Sequence, residues 1–231
     1  EGLLLSYPEA AMRNLDRKFF DKDFTFFGTK ISTNGIAYNV NNAKKIDSWH
    51  ELAAAENAGQ VMMPSPIYSG AALVNLHGMI NSPEIGWAFF ETLAKNGIMP
   101  EGGNGPARKA VAGGAARYAV VTDAGTFRAK RDGSPVDFIF PKEGVSFYTQ
   151  PIAILKTTKN APAAKAFVDF LLSREGQELA ASQGNMPLDP EVTAPAGYPR
   201  LSELKLLSFD VDKAIRENDA VKARFQKIFG M

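Results

Sequence analysis

Small polar residues and glycines stand at three junctions that lead into predicted helix starts, and these residue types suit the binding of an anion. The first group is Ser65, Ser69, Gly70 and Ala71, the second is Asn104 and Gly105, and the third is Thr122 and Asp123. The first N–H groups of a helix lack intrahelical partners and lie at the positive end of the helix dipole. Phosphate groups bind at such helix starts because several donors point at them together.

The elements that position these residues can be read from the hydrophobic pattern. Residues 61–63 predict a short buried strand, residues 64–68 a loop, and the helix that follows is capped by Ser69. Asn104 is the expected cap of a second helix, and the apolar strand 117–122 leads through Asp123 into a third. The alternation of strands and helices predicts an α/β layer with a mainly parallel sheet. In such sheets ligands bind beyond the carboxyl ends of the strands, so the three groups are expected to converge on one pocket.

The chemistry of the three groups favours a phosphorus oxyanion. Hydroxyl and backbone N–H groups donate to phosphate or phosphonate oxygens, which accept many hydrogen bonds. The carboxylate of Asp123 would repel an anion but attract an ammonium group. A solute with both ends, such as an aminoalkyl phosphonate, would use both kinds of contact.

Each residue also has a purely structural interpretation. Ser69 and Asn104 can act only as helix caps, and Asp123 can cap its own helix. Only the joint placement of these residues at strand ends favours ligand binding over helix capping.

Composition excludes several classes of protein. The 231 residues carry 26 basic and 25 acidic side chains, so a net charge of +1 offers no basic field for nucleic acid. No apolar stretch reaches the roughly 18 residues of a membrane span, and cysteine is absent. No signal peptide is visible. Because the chain opens at Glu1 without a methionine, we expect that an upstream part has been removed.

The sequence contains no recognisable catalytic or metal-binding motif. Only two histidines occur, His50 and His77, and neither belongs to a spaced set of metal ligands. We therefore predict that the protein is not an enzyme and needs no cofactor or metal. An acid–base pair assembled by folding stays possible on sequence grounds alone.

Several motifs together carry a resemblance that covers nearly the whole chain. They are Trp49, residues 61–66 (Val-Met-Met-Pro-Ser-Pro), Ser69-Gly70, residues 101–106 (Glu-Gly-Gly-Asn-Gly-Pro), residues 118–123 (Tyr-Ala-Val-Val-Thr-Asp), residues 151–156, and the helix pair that spans residues 160–177. In this order and spacing the sequence resembles the extracellular solute-binding proteins of ABC importers. Within them it is most similar to the type II branch that contains ferric-ion, phosphonate and sugar-phosphate binders.

The resemblance implies an α/β, two-lobe periplasmic-binding-protein-like fold that closes on its ligand by a hinge. Residues 1–36 would form part of lobe one and the first crossing, and residues 37–148 would form lobe two. Residues 149–231 would form the return crossing, the rest of lobe one and the C-terminal helices. Ser32 and Thr33 would face the cleft. Family members begin with a further strand and helix of lobe one, and this chain is expected to lack that part.

The implied function is the binding component of an ABC import system in the periplasm. It would capture a small anionic solute, such as 2-aminoethylphosphonate or an organophosphate, as a monomer and deliver it to the transmembrane permease subunits. The alternative is a ferric-iron-binding protein. Ferric binders of this family place two adjacent tyrosines near the position of Thr122 and Asp123, and this chain has none there. A hydrolase or transferase on the same fold and a non-binding paralogue are further alternatives.

Overall fold

The computed structural model describes residues 2–12 and 15–231, and these residues divide into two compact units. The first unit contains the chain up to Ser32 together with Tyr148–Glu203, and the second contains Thr33–Phe147 and Leu204–Met231. The chain therefore passes from one unit to the other three times: inside the two long strands β1 (Phe26–Asn39) and β5 (Val145–Ala153), and between Glu203 and Leu204.

The second unit alternates short strands with helices, as the hydrophobic pattern predicts. Its strands, besides the ends of β1 and β5, are β2 (Val61–Met62), β3 (Tyr118–Thr122), β4 (Val136–Ile139) and β6 (Leu206–Leu207). Its helices are α1 (Trp49–Leu52), α2 (Gly70–Ile80), α3 (Gly86–Lys95), α4 (Asn104–Ala112), α5 (Asp123–Arg131) and α8 (Val211–Phe229). The first unit holds α6 (Ala161–Leu172) and α7 (Arg174–Ser182).

The sheet of the second unit is mixed, so the prediction of a mainly parallel sheet is wrong. β2 runs parallel to β3, and β5 runs parallel to β6. β1 is antiparallel to both β3 and β4, with Asn34 opposite Thr122 and Ile36 opposite Ile139. The helices between β2 and β3 provide the crossover that a parallel pair needs. The alternation says nothing about the direction of β1, which precedes it in the chain.

An aromatic core holds the helices of the second unit on its sheet. The ring of Trp49 is fully buried and meets the ring of Phe89 edge to face, with centroids 5.8 Å apart. Its indole N–H donates to the carbonyl oxygen of Gly144 at 2.8 Å, so the one polar atom of the side chain is satisfied. Burial of each such ring contributes about 2–3 kcal/mol to stability. Leu76 and Met79 of α2 belong to this core, whereas α4 packs through Ala107 and Val111 in a separate apolar cluster.

The C-terminal segment belongs to the second unit, whereas the resemblance groups residues 149–231 as the return crossing, the rest of lobe one and the C-terminal helices. Residues 204–231 lie with the middle of the chain. The physical reason is the apolar face of α8, where Phe225 is 1% exposed and packs its ring on Phe90 at 5.8 Å between centroids. Helical periodicity marks an apolar face but does not identify which partner buries it.

In the first unit, a buried carboxamide joins three segments. The side chain of Gln177 in α7 is fully buried. Its Nε2 donates to the carbonyl oxygens of Thr29 at 2.9 Å and Leu171 at 2.8 Å. Its Oε1 accepts from the N–H of Leu188 at 2.7 Å. One side chain thus satisfies backbone groups of β1, α6 and the loop after α7.

Among the helices of the described residues, none combines the length and apolar character required to cross a bilayer.

Candidate functional site

The start of α2 presents backbone donors that the helix itself does not use. Ser69 is the N-cap, and its Oγ accepts from the N–H of Ala72 at 3.3 Å, as the sequence predicts. The N–H groups of Gly70 and Ala71, the first two of the helix, are not part of this cap or of the intrahelical ladder. Gly70 is exposed, and a side chain added there would meet nothing within 4 Å. The helix start thus lies at an exposed residue, and these two N–H groups have no hydrogen-bond partner within the described residues.

The loop before α2 is held in place by Ser65, which is fully buried. Its carbonyl oxygen accepts from the N–H of Ser69 at 3.0 Å, and its own N–H donates to Gly102 at 3.2 Å. The second bond ties this loop to the loop before α4. Ser65 therefore positions the two helix starts and does not itself offer a surface to a ligand.

Asn104 connects all three predicted groups. Its Oδ1 accepts from the N–H of Thr122 at 3.0 Å, and its Nδ2 lies 3.5 Å from the Oγ of Ser69, a long hydrogen bond. The sequence predicts Asn104 as an N-cap, but Gly103 holds that position and Asn104 is the first residue of α4. Its side chain is free to bridge because it does not cap. Beside it, a side chain added at Gly105 would meet no other atom within 4 Å.

The start of α5 is closed by its own carboxylate. Asp123 is fully buried, and its Oδ2 accepts from the N–H of Thr33 at 3.0 Å and from the Oγ1 of Thr33 at 2.8 Å. Its Oδ1 accepts from the N–H of Ala124 at 2.6 Å. Burial raises the pKa of Asp123 to about 6, although the hydrogen bonds from Thr33 act in the opposite direction. The carboxylate is therefore used inside the protein and does not face an incoming ammonium group.

The structure brings most of the predicted residues together in the second unit. Ser65, Ser69, Gly70, Ala71, Asn104, Gly105, Thr122, Asp123 and Thr33 belong to the helix starts or to the strand beside them. Ser32 lies in the first unit, where its Oγ accepts from the Nε2 of Gln150 at 3.1 Å. A hydrogen-bonded set at the ends of β2 and β3 thus exists in one unit.

Sequence reasoning misses a buried polar chain behind these helix starts. The Nδ2 of Asn34 donates to the Oγ of Ser146 at 3.0 Å, and that hydroxyl donates to the Oδ1 of Asn75 at 2.7 Å. Asn34 and Asn75 also line a cavity of about 10 Å³, with Asn104 at its edge. Such a space holds roughly one water molecule. The available signal was Asn34, an amide within a long predicted extended stretch.

No metal site is found among the described residues. No group of three or more His, Asp or Glu side chains among residues 2–12 and 15–231 is arranged to hold an ion. Tyr68, directly before Ser69, is exposed. Tyr118 lies at the opposite end of β3 from Thr122, and its hydroxyl donates to the carbonyl oxygen of Lys44 at 2.7 Å. His77 stacks on Phe209 at 5.6 Å, and burial lowers the pKa of its imidazole. The side chains of Tyr118 and His77 are structural.

A family model and several curated proteins match this chain. The model, described as bacterial extracellular solute-binding protein, matches residues 1–213. The spermidine/putrescine-binding periplasmic protein 1 of Haemophilus influenzae is 25% identical over 232 residues, which cover 89% of this chain and 64% of that protein. The spermidine/putrescine-binding periplasmic protein of Escherichia coli is 25% identical over 234 residues, which cover 91% of this chain and 62% of that protein. The chain therefore spans less than two thirds of these relatives.

Solved structures match the fold over the whole chain. The periplasmic binding protein AfuA of Actinobacillus pleuropneumoniae, solved with fructose-6-phosphate bound, is 22% identical with a TM-score of 0.81. The match covers 100% of this chain and 77% of that one. The ferric binding protein of Campylobacter jejuni is 24% identical with a TM-score of 0.77, covering 99% of this chain and 77% of that one. These likenesses confirm the predicted α/β fold of the two-lobe periplasmic binding proteins.

Proposed function

The chain belongs to the bacterial extracellular solute-binding proteins, and we propose that it captures a small phosphorus oxyanion for an ABC importer. Solutes of this kind include 2-aminoethylphosphonate and organophosphates, and delivery would be to the transmembrane permease subunits. The family membership confirms the periplasmic, extracytoplasmic location that the resemblance implies. In the proposal the protein binds as a monomer and performs no covalent chemistry.

The observation that carries the proposal is the joining of two open helix starts. Asn104, at the start of α4, lies against Ser69, the cap of α2. The unused N–H groups of Gly70, Ala71 and Gly105 belong to these same two starts. Donors at the positive ends of two helices favour a compact anion with several acceptor oxygens. A tetrahedral –PO₃ group has this character.

A ferric ion fits this site less well. Ferric iron prefers anionic oxygen ligands such as phenolates. Within the described residues no acidic or histidine cluster is present, and the Tyr118 hydroxyl is engaged with Lys44.

A polyamine also fits less well, although two relatives carry that name. A polyamine needs exposed carboxylates, because each ammonium group loses its hydration on binding. The carboxylate of Asp123 is 0% exposed and already accepts three hydrogen bonds. It therefore has no face to offer a cation.

A thermal unfolding screen of the purified protein tests the proposal. We expect 2-aminoethylphosphonate, fructose 6-phosphate or inorganic phosphate to raise the melting temperature. A ligand at about 100 times its Kd stabilises the folded state by about 2.7 kcal/mol, which corresponds to several degrees. Spermidine and ferric citrate serve as the competing ligands. Stabilisation by spermidine alone, or a coloured complex with iron alone, would reject the phosphorus oxyanion.

A further inference from the structure

A guanidinium group lies against the first turn of α5 in a space that only glycine leaves open. The added side-chain carbon of an alanine at position 125 would lie 2.4 Å from the Nη1 and 2.9 Å from the Cζ of Arg108. Arg108 is carried by α4, and Gly125 is the third residue of α5. The absence of a side chain at Gly125 thus leaves room for the guanidinium beside the start of α5.

This guanidinium has no acidic partner among residues 2–12 and 15–231. None of the hydrogen bonds or ion pairs of the described residues involves the side chain of Arg108. Asp123, at the same helix start, turns its oxygens to Thr33 and to the N–H of Ala124. Burial lowers the pKa of Arg108, and the positive charge of Arg128 lowers it further. A partly buried cation near another cation is unfavourable unless an anion joins it.

Arg108 lies along the same contact between α4 and α5 as Asn104 of the candidate site. Asn104 and Arg108 are four residues apart on α4, and Thr122 and Gly125 are three apart at the start of α5. Residues at these spacings lie on one face of a helix. The contact between Asn104 and Thr122 and the contact between Arg108 and Gly125 are therefore neighbours along the line where α4 meets α5. Side chains on a helix lean toward its N-terminus, and the N-terminus of α4 carries Asn104 and Gly105.

We infer that Arg108 binds the anionic head group of the solute and selects a doubly charged –PO₃ group over a singly charged one. The inference rests on the proposed function, because it adds a cation to the same anion site. The backbone donors of α2 and α4 supply hydrogen bonds but no full charge. Arg108 supplies the charge, and its planar fork matches two oxygens of one phosphoryl group. Arg128 adds to the positive potential without a required contact.

A pair of isosteric probes tests the charge selection. 2-Aminoethylphosphonate and its sulfonate analogue, 2-aminoethanesulfonate, differ mainly in head-group charge at about pH 8, above the second phosphoryl pKa of about 6. We expect the wild-type protein to bind the phosphonate at least 10-fold more tightly, measured by isothermal titration calorimetry. We expect Arg108→Gln to weaken phosphonate binding about 10-fold or more and to lose most of the preference.

Two further variants separate position from charge. Gly125→Ala keeps the net charge and favours the helix, but its methyl group displaces the guanidinium, so it should weaken phosphonate binding to a similar extent. Arg131→Gln removes the same charge from an exposed position at the end of α5 and should bind within about 2-fold of wild type. Matching circular dichroism spectra and melting temperatures of the variants would show that they are folded.

Two outcomes overturn the inference in distinguishable ways. If wild type binds the phosphonate and either Arg108→Gln or Gly125→Ala binds it with the same affinity, the role of Arg108 is rejected and the proposed function stands. If wild type binds neither the phosphonate nor inorganic phosphate, both the proposed function and the inference are rejected.

Discussion

The start of α2 and the start of α5 have the same local fold but opposite electrostatics. Both helices follow a strand and lie in the second unit. At α2, the Ser69 hydroxyl caps one N–H and leaves those of Gly70 and Ala71 unused. At α5, the Asp123 carboxylate accepts the N–H of Ala124 and is held by Thr33. A strand followed by a helix therefore does not make an anion site unless its first-turn residues are uncharged.

The difference also shows what each junction does for the protein. The neutral start leaves a positive end that a solute can complete. The acidic start completes itself and fixes the neighbouring strand β1 through the two hydrogen bonds of Thr33. In the proposed function the first junction binds the solute, and the other lies beside Thr122, whose N–H donates to Asn104.

The largest expected effect concerns the closed junction and its dependence on pH. Asp123 has a folded pKa of about 6, above the ordinary value of 3.8, so its protonated form is favoured in the folded state. The free energy of unfolding of the wild-type protein, compared with that of Asp123→Asn, should be highest below about pH 4. It should fall relative to the variant as the pH rises through about 6. The change amounts to up to about 3 kcal/mol. Urea unfolding of both proteins from pH 4 to 7.5 measures it, and a difference that grows with pH would show that the charged form is favoured.

The second prediction concerns a mutation that adds a carboxylate to the start of α2. Gly70→Asp places a carboxylate at the first position of α2, where nothing lies within 4 Å. The helix should gain about 0.5 kcal/mol from its dipole, while phosphonate binding should fall about 100-fold by charge repulsion. Ala161→Asp is the matched control, because it makes the same change at the first position of α6 in the first unit. Titration calorimetry and thermal unfolding report both effects. Equal loss of binding in the two variants would contradict the comparison.

The smallest effect comes from removing the cap of α2. Ser69→Ala and Asn160→Ala each delete an N-cap side chain, from α2 and α6 respectively. Both should destabilise the protein by about 1 kcal/mol. Only Ser69→Ala should also weaken phosphonate binding, by about 2- to 10-fold, because Asn104 loses its partner. Undiminished affinity in Ser69→Ala would assign that hydroxyl to helix capping alone.

Local structure was largely predictable because its signals are local. The Ser69 cap, the strand before it and the helix after Thr122 follow from residue types within one or two turns. The bridging role of Asn104 was not predictable. Its side chain meets Ser69 and Thr122, 35 and 18 positions away, and no periodicity encodes such contacts.

The hydrophobic pattern of the sequence also does not predict which groups contact the charged side chains in the folded protein. Asp123 reads equally well as a cap and as a solvent-facing carboxylate, and only the fold brings Thr33, 90 residues away, to its oxygens. Arg108 is similar, since a basic residue within a polar helix ordinarily predicts a solvated face. Its position depends on a glycine in another helix. The residue types at the site were visible in the sequence, but their partners depended on tertiary contacts.

The buried carboxamide of Gln177 has a consequence for how the first unit opens. Backbone groups of Thr29, Leu171 and Leu188 all bind this one side chain. If one of these segments unfolded locally, a buried polar atom of Gln177 would lose its hydrogen-bond partner. The strand, the helix and the irregular segment after α7 should consequently exchange their amide hydrogens in step, as a single cooperative block. The irregular segment around Leu188 should therefore be as protected from hydrogen exchange as the helices and strand to which Gln177 joins it.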